Sequence, residues 1–314
     1  MRNKILVARL FERMDMSIKY LFLETRPQFL LLSPILVFLG MAMAMYQGSF
    51  SWVYFLLSVI GLTLLHTSVN VLNDYSDHKT GIDFKTKRTP FSGGSGFLTI
   101  GKVNPASALK LGLGSFFLAV PIGVYFVIKE GWHLLPLFLV GSVFVLWYTS
   151  HLSKVGGGLS EISAGLGLGS LPVLGTFIII NGGFSWVALY ASIPSGFLVC
   201  NLLLLNEFPD AEADKTGQRR TLPIVLGYKK AALVYSTLIV MAYLWVVIGV
   251  ALGLMPAWAL IALLTLPFGL RAISGALRFK SFEELIPAQG ANILTVLLTQ
   301  LLLGCGYIVA NLAS

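Results

Sequence analysis

Charge is what this sequence has least of: 11% of its 314 residues are Asp, Glu, Lys or Arg, while 56% are hydrophobic and the mean hydropathy is +0.82. So little charge over that length excludes an ordinary soluble two-domain chain and points to a polytopic membrane protein. Cysteine is nearly missing as well. Cys200 and Cys305 sit inside apolar runs without CxxC spacing, which excludes a disulfide framework or a thiolate metal site and leaves two buried thiols. No signal-peptide core is present before Tyr20, because Arg9, Glu12, Arg13, Asp15 and Lys19 interrupt it. Residues 1–24 read instead as a basic amphipathic lead-in lying on the cytoplasmic membrane surface. The net charge of +8 comes with no basic patch, since the basic residues are scattered along the connections, so nucleic acid is not an expected partner and membrane lipid is.

What is abundant is apolar sequence in runs of bilayer length. Nine of them fall at 28–46, 51–73, 106–128, 132–150, 160–180, 185–206, 231–252, 256–273 and 290–311. Lys and Arg accumulate on the cytoplasmic side of membrane proteins. Here 21 of the 22 basic residues fall before the first run, in alternate connections or, as Lys110 and Arg271, in the run ends that border them, with only Lys129 outside that set. The pattern predicts an all-α bundle of nine transmembrane helices with a cytoplasmic N-terminus and an outside C-terminus, in a prokaryotic inner membrane.

The few acids are not spread evenly. Asn70, Asn73, Asp74, Asp77 and Asp83 close or follow the second run, and Asn206, Glu207, Asp210, Glu212 and Asp214 close or follow the sixth. Asn70, Asn73, Asp74 and Asp77 have i, i+3, i+4, i+7 spacing, so a helix continuing through them gives them one face. Carboxylates at a membrane boundary are costly and usually have a task, and a hard divalent cation such as Mg2+ is the usual remedy for their repulsion. Both clusters fall on the cytoplasmic side, where two of them are suited to clamp a diphosphate through metal ions. Connections at 74–105 and 207–229 are long for a helical bundle and read as catalytic loops. Each runs from acids through a glycine, Gly81 or Gly217, to a basic run, a short pseudo-repeat.

N-D-Y-S-D-H-K-T-G-I-D from Asn73 and N-E-F-P-D-A-E-A-D from Asn206, about 130 residues apart and followed by G-Q-R-R-T-L-P, resemble the two signature motifs of the UbiA superfamily of intramembrane aromatic prenyltransferases. The resemblance extends over almost the whole chain, through Arg26-Pro27, Tyr148-Thr149 to Lys154, and G-G-L-S-E ending at Glu161. It is nearest the menaquinone branch, which prenylates 1,4-dihydroxy-2-naphthoate; the commoner pattern places its last aspartate at the position of Gly81, whereas here it is Asp83. The resemblance implies nine helices around a central cavity that takes a polyprenyl diphosphate and an aromatic acceptor. It also implies Mg2+ held by Asn73, Asp74, Asp77 and Asp83 in the first site and by Asp210 and Asp214 in the second. Asn70, Asn73, Lys87, Arg88, Arg219 and Lys154 are then the candidate contacts to diphosphate, and Tyr148 the aromatic neighbour of the reacting carbon. Asp74, Asp77 and Asp210 carry the catalysis with Lys154 and Tyr148.

Each of these residues has a plainer reading. Asp74 and Asp77 suit a helix end, Asp210 and Asp214 a solvated turn paired with Lys215, and Lys87 and Arg88 the positive-inside bias. Lys154 also fits a snorkelling lysine, Tyr148 an interfacial belt, and His66 a satisfied core histidine. Gly93-Gly94-Ser95-Gly96 has the composition of a phosphate-cradling loop, a signal of low specificity alone, and the Gly156 to Gly169 series suits close helix packing. Rival functions keep the fold. They are prenyl transfer to 4-hydroxybenzoate, homogentisate or geranylgeranylglyceryl phosphate, an intramembrane terpene cyclase, and a cation-coupled transporter. The last is disfavoured by acids at helix ends rather than at the membrane midplane.

Overall fold

The computed structural model describes residues 18–313, so most of the lead-in expected over 1–24 lies outside the described residues. Among them nine helices are long and apolar enough to cross a membrane: α1 Pro27–Tyr46, α2 Trp52–Thr80, α3 Pro105–Glu130, α4 Trp132–Val155, α5 Leu159–Asn181, α6 Trp186–Thr216, α7 Tyr228–Ala251, α8 Ala257–Arg278 and α9 Phe282–Ala313. Every expected run is there, and the architecture is all-helical. Helices satisfy their own backbone, which lipid cannot do for them.

The helices outlast the apolar runs at the acidic ends. The loops expected from residues 74 and 207 begin later, because α2 continues to Thr80 and α6 to Thr216. The physical reason is that loss of hydropathy marks the edge of the hydrocarbon, not the end of a helix, and Asp, Glu and Lys do not break one. With 29 and 31 residues these helices are roughly 43 and 46 Å long against a hydrocarbon core of about 30 Å, so their last turns stand clear of the lipid. Gly81, at φ +82°, stops α2 in the left-handed conformation that glycine adopts without penalty.

Neighbour packing closes the helices into a ring: α2 lies on α1 and α3, α4 on α3 and α5, α5 on α6, α6 on α7, α7 on α8, α8 on α9, and α9 back on α1. Inside the ring α1 also packs on α5, and Leu36, Leu39, Phe177, Leu198 and Leu303 fill the end away from the acids. The outer surface is apolar, as lipid requires. Trp52, Trp132 and Trp186 open α2, α4 and α6 at one end of the bundle and are 65%, 77% and 76% exposed, the placing of an interfacial belt.

Glycine permits a close approach between α5 and α6. A Cβ on Gly165 would lie 2.6 Å from the carbonyl oxygen of Gly196, and one on Gly169 would lie 2.7 Å from that of Ser195. The packing role expected for the end of the Gly156 to Gly169 series is what these contacts show. Gly169→Leu is expected to lower stability by about 1–3 kcal/mol through overpacking, read as a lower thermal unfolding temperature in detergent.

Candidate active site

A cavity of about 250 Å3 opens inside the ring at the ends of α2 and α6. Its body is apolar, lined by Phe29, Leu62, Leu65, Phe144, Leu168 and Val199, and its mouth is acidic. On α2 the polar lining residues are His66, Asn70, Asn73 and Asp77. At about 100° per residue these four fall within a stripe of roughly 60°, and Asp74 falls about 40° beyond its edge. Asp74 is accordingly the acid of the first motif that does not line the cavity. On α6, Asn206, Glu207, Asp210 and Asp214 all line it. The two motifs meet because the connections after them pack together, with Gly217 directly against the side chain of Ile82.

Two arginines hold the acids. Arg219 bridges the motifs: Nη1 donates to Asp214 Oδ1 at 2.9 Å, and Nη2 is paired with Asp77 on α2. Burial works against the Arg219 charge, but Asp77 and Asp214 outweigh it and hold the guanidinium above its usual range. Arg26, immediately before α1, is paired with Asp74 and also faces the cavity. Burial draws its pKa down against the attraction of Asp77, Asp83 and Glu24. Asp83, in the turn Ile82–Phe84, is buried, and that burial raises its carboxyl above the ordinary range despite Arg88, whose Nη2 lies 3.8 Å away.

The glycine-rich loop spends its donors on carboxylates. Gly93 N–H donates to Asp210 Oδ2 at 3.1 Å and Ser95 N–H to Asp74 Oδ2 at 2.8 Å. Asn73 Nδ2 donates to Thr149 Oγ1 at 3.0 Å, and Asn70 Nδ2 to the Thr25 carbonyl at 3.1 Å. Tyr148 belongs to a wide π-type turn, Tyr148–Leu152, near the end of α4, and its side chain lines the cavity. Its hydroxyl is 3.2 Å from Ser160 Oγ, which in turn donates to Glu207 Oε1 at 3.2 Å.

Of the residues expected at the site, Asn70, Asn73, Asp77, Asp83, Tyr148, Asp210, Asp214 and Arg219 line the cavity together. Lys87, Arg88 and Lys154 are exposed and outside the lining. Arg26 and Ser160 are added by the structure, and Glu207, a member of the second acidic cluster in the sequence, joins them in the lining. For Arg26 a signal was available: a single cation directly before a proline at a helix start. His66, expected in the core, is buried with Nδ1 3.0 Å from Ser33 Oγ, yet also lines the cavity.

Among the described residues no three of the acids surround a common point tightly enough to cage an ion as they stand. Three buried carboxyl oxygens of the cavity lining, Asp83 Oδ2, Glu207 Oε2 and Asp210 Oδ1, have no hydrogen-bond donor. Orphaned carboxylate oxygens are costly, and a donor set made of carboxylates and asparagine amides is what a hard divalent cation takes, so the residues fit such an ion.

An acid-mouthed, apolar chamber among membrane-length helices defines a class of polytopic membrane enzyme that receives a molecule with a polyanionic head and a greasy body. The UbiA prenyltransferase family model matches residues 31–284, and the chain belongs to that family. It is 29% identical over 287 residues to the 1,4-dihydroxy-2-naphthoate octaprenyltransferase of Bacillus subtilis (strain 168), covering 91% of each chain. It is 28% identical to the protein of the same name from Mycobacterium tuberculosis, over 79% of this chain and 82% of that one. In fold it is similar to a UbiA homologue from Aeropyrum pernix K1, with a TM-score of 0.67 at 18% identity over 90% and 98% of the two chains. A UbiA homologue from Archaeoglobus fulgidus, bound to GPP and Mg2+, aligns with a TM-score of 0.63 at 14% identity over 89% and 98%.

Arg219 is the keystone of this arrangement. Arg219→Gln leaves Asp77 and Asp214 buried without their counter-charge, and the expected cost is about 3–5 kcal/mol, measured as a fall in thermal unfolding temperature that Asp77→Asn in the same chain partly reverses.

Proposed function

We propose that this prenyltransferase moves a polyprenyl group from its diphosphate to 1,4-dihydroxy-2-naphthoate, with Mg2+, at the cytoplasmic face of a prokaryotic inner membrane. The observation that carries the reading is the convergence of two acidic helix ends, with orphaned carboxylate oxygens, on the mouth of an apolar cavity. The acceptor follows the relatives named for that naphthoate, which match most of the chain at 28–29% identity.

Asn73, Asp77, Asp83, Asp210 and Asp214 hold the divalent ion, which when bound supplies positive charge to neutralise the leaving diphosphate. Asn70 and Arg219 position the phosphate oxygens, and the exposed Lys87, Arg88 and Lys154 around the mouth draw in the anionic head. The C1–O bond of the allylic diphosphate breaks and its electron pair leaves with diphosphate. A π pair of the ring forms the new C–C bond, the ring–carboxylate bond breaks to release CO2, and that pair restores the aromatic ring. Phe29, Leu62, Phe144 and Leu168 exclude the water that would quench the allylic cation, and the Tyr148 face stabilises it.

The test is a mass-spectrometric assay of purified protein in lipid, with Mg2+, prenyl diphosphates of several lengths, and a panel of acceptors. A prenylated, decarboxylated naphthoquinol that disappears with EDTA is expected, and Asp77→Asn or Asp210→Asn should each lower its rate by about 10²–10³-fold or more. Diphosphate release with no adduct, or an adduct with 4-hydroxybenzoate or a glyceryl phosphate alone, overturns the acceptor. Sidedness is checked separately: Glu212, 67% exposed beside Asp210, should react as Glu212→Cys with an impermeant thiol reagent in inside-out vesicles and not in right-side-out ones.

A further inference from the structure

Asp74 differs from every other acid at the mouth in having nothing left to give. Arg26 meets it with a two-pronged fork, Nη2 on Oδ1 and Nε 3.4 Å from Oδ2, and the Ser95 N–H takes Oδ2 as well at 2.8 Å. The carboxylate is 1% exposed, lies off the cavity-facing stripe of α2, and has no orphaned oxygen, whereas Asp83 and Asp210 have one each. A fork of this kind fixes the plane of the guanidinium as well as its place.

The rest of the surroundings is built to keep the pair in register. Arg26 precedes Pro27, a position from which the right-handed helix is disfavoured, and stands at φ 55°, ψ 61°, which a residue with a Cβ adopts only when its surroundings require it. Ser95, which caps Asp74 through its amide, donates its hydroxyl to the buried Glu24 at 2.5 Å. Gly94 covers the pair so closely that a Cβ there would lie 3.1 Å from Asp74 Oδ1 and 3.3 Å from Arg26 Nη2. Arg26, unlike Asp74, lines the cavity, at the level of the acids rather than of the apolar body.

We infer that Asp74 is a positioning residue and not a metal ligand: it aims the Arg26 guanidinium at the diphosphate head of the donor. This rests on the prenyl diphosphate reading above. The fork holds the cation in place before the substrate arrives, so binding the head costs no reorganisation of a long side chain. The first motif is thereby divided, with Asn73, Asp77 and Asp83 toward the ion and Asp74 toward the arginine.

The experiment uses the full chain in nanodiscs. Mn2+ is titrated by electron paramagnetic resonance with a saturating prenyl S-thiolodiphosphate, and donor KM and kcat are measured for Asp74→Asn, Arg26→Gln, the double variant and Asp210→Asn. Asp74→Asn and Arg26→Gln are each expected to raise donor KM about 10–100-fold, with the double no worse than the poorer single, because both remove one device. Arg26→Lys, which keeps the charge and loses the fork, should fall between wild type and Arg26→Gln. Mn2+ affinity should stay within about 3-fold of wild type in Asp74→Asn and fall more than about 10-fold in Asp210→Asn. Loss of Mn2+ from Asp74→Asn to the extent seen in Asp210→Asn, or KM effects that multiply in the double variant, overturns the assignment. Where Asp74→Asn does not fold, an Arg26→Gln variant with unchanged donor KM overturns it instead. A wild-type protein that binds neither Mn2+ nor the donor analogue marks failure of the underlying donor reading, a different result from either.

Discussion

Five acidic side chains crowded at the end of a membrane bundle are tolerable only if something positive lies among them, and in this protein the group that bridges the two motifs is Arg219. Its guanidinium reaches Asp214 on its own side and Asp77 across the cavity, joining α6 to α2 at the point where the ring of helices would otherwise be pushed open. A buried carboxylate left alone costs several kcal/mol, so the bridge and the cavity mouth stand or fall together. The same two helices overrun the hydrocarbon thickness, which places the charged turns where water can still reach them while their stems line a dry chamber.

The chamber has its polarity arranged along one axis. On α2 the stripe from Asp77 through Asn73 and Asn70 to His66 passes from charged to neutral polar groups in three turns, and below it Leu62 and Leu65 continue the wall without any. A polyanionic head and an apolar tail would find complementary surfaces in that order. The π-type turn near the end of α4 adds Tyr148 and Thr149 at the level of Asn73, tying a third helix to the first motif through the Thr149 hydroxyl. Such turns widen a helix at the cost of regular hydrogen bonding, and here the widening delivers an aromatic face to the boundary between the two zones.

The loop after α2 shows why composition alone misleads. Glycines with free amides suit phosphate, but in this fold the Gly93 and Ser95 amides are given to Asp210 and Asp74. At Asp210 a neutral donor holds the carboxylate in place without cancelling its charge, and at Asp74 the Ser95 amide steadies the carboxylate already paired with Arg26. The loop is therefore part of the wall that sets the positions of both motifs.

The nine spans, their order and the helix ends that bear acids were determined by the sequence alone, because hydropathy and the spacing of Asn70, Asn73 and Asp77 are local properties and α-helical geometry converts them directly into faces. Only the tertiary structure decided which acids point inward. Asp74 and Asp77 are equivalent by residue type and nearly so by spacing, and a rotation of some tens of degrees about α2, set by packing on α1 and α3, separates them. The same holds for the partners: Arg26 lies 48 residues from Asp74 and Arg219 lies 142 from Asp77. Contacts over such separations leave no periodic trace in a chain, since they exist only once the ring has closed and brought the ends of α1, α2 and α6 together.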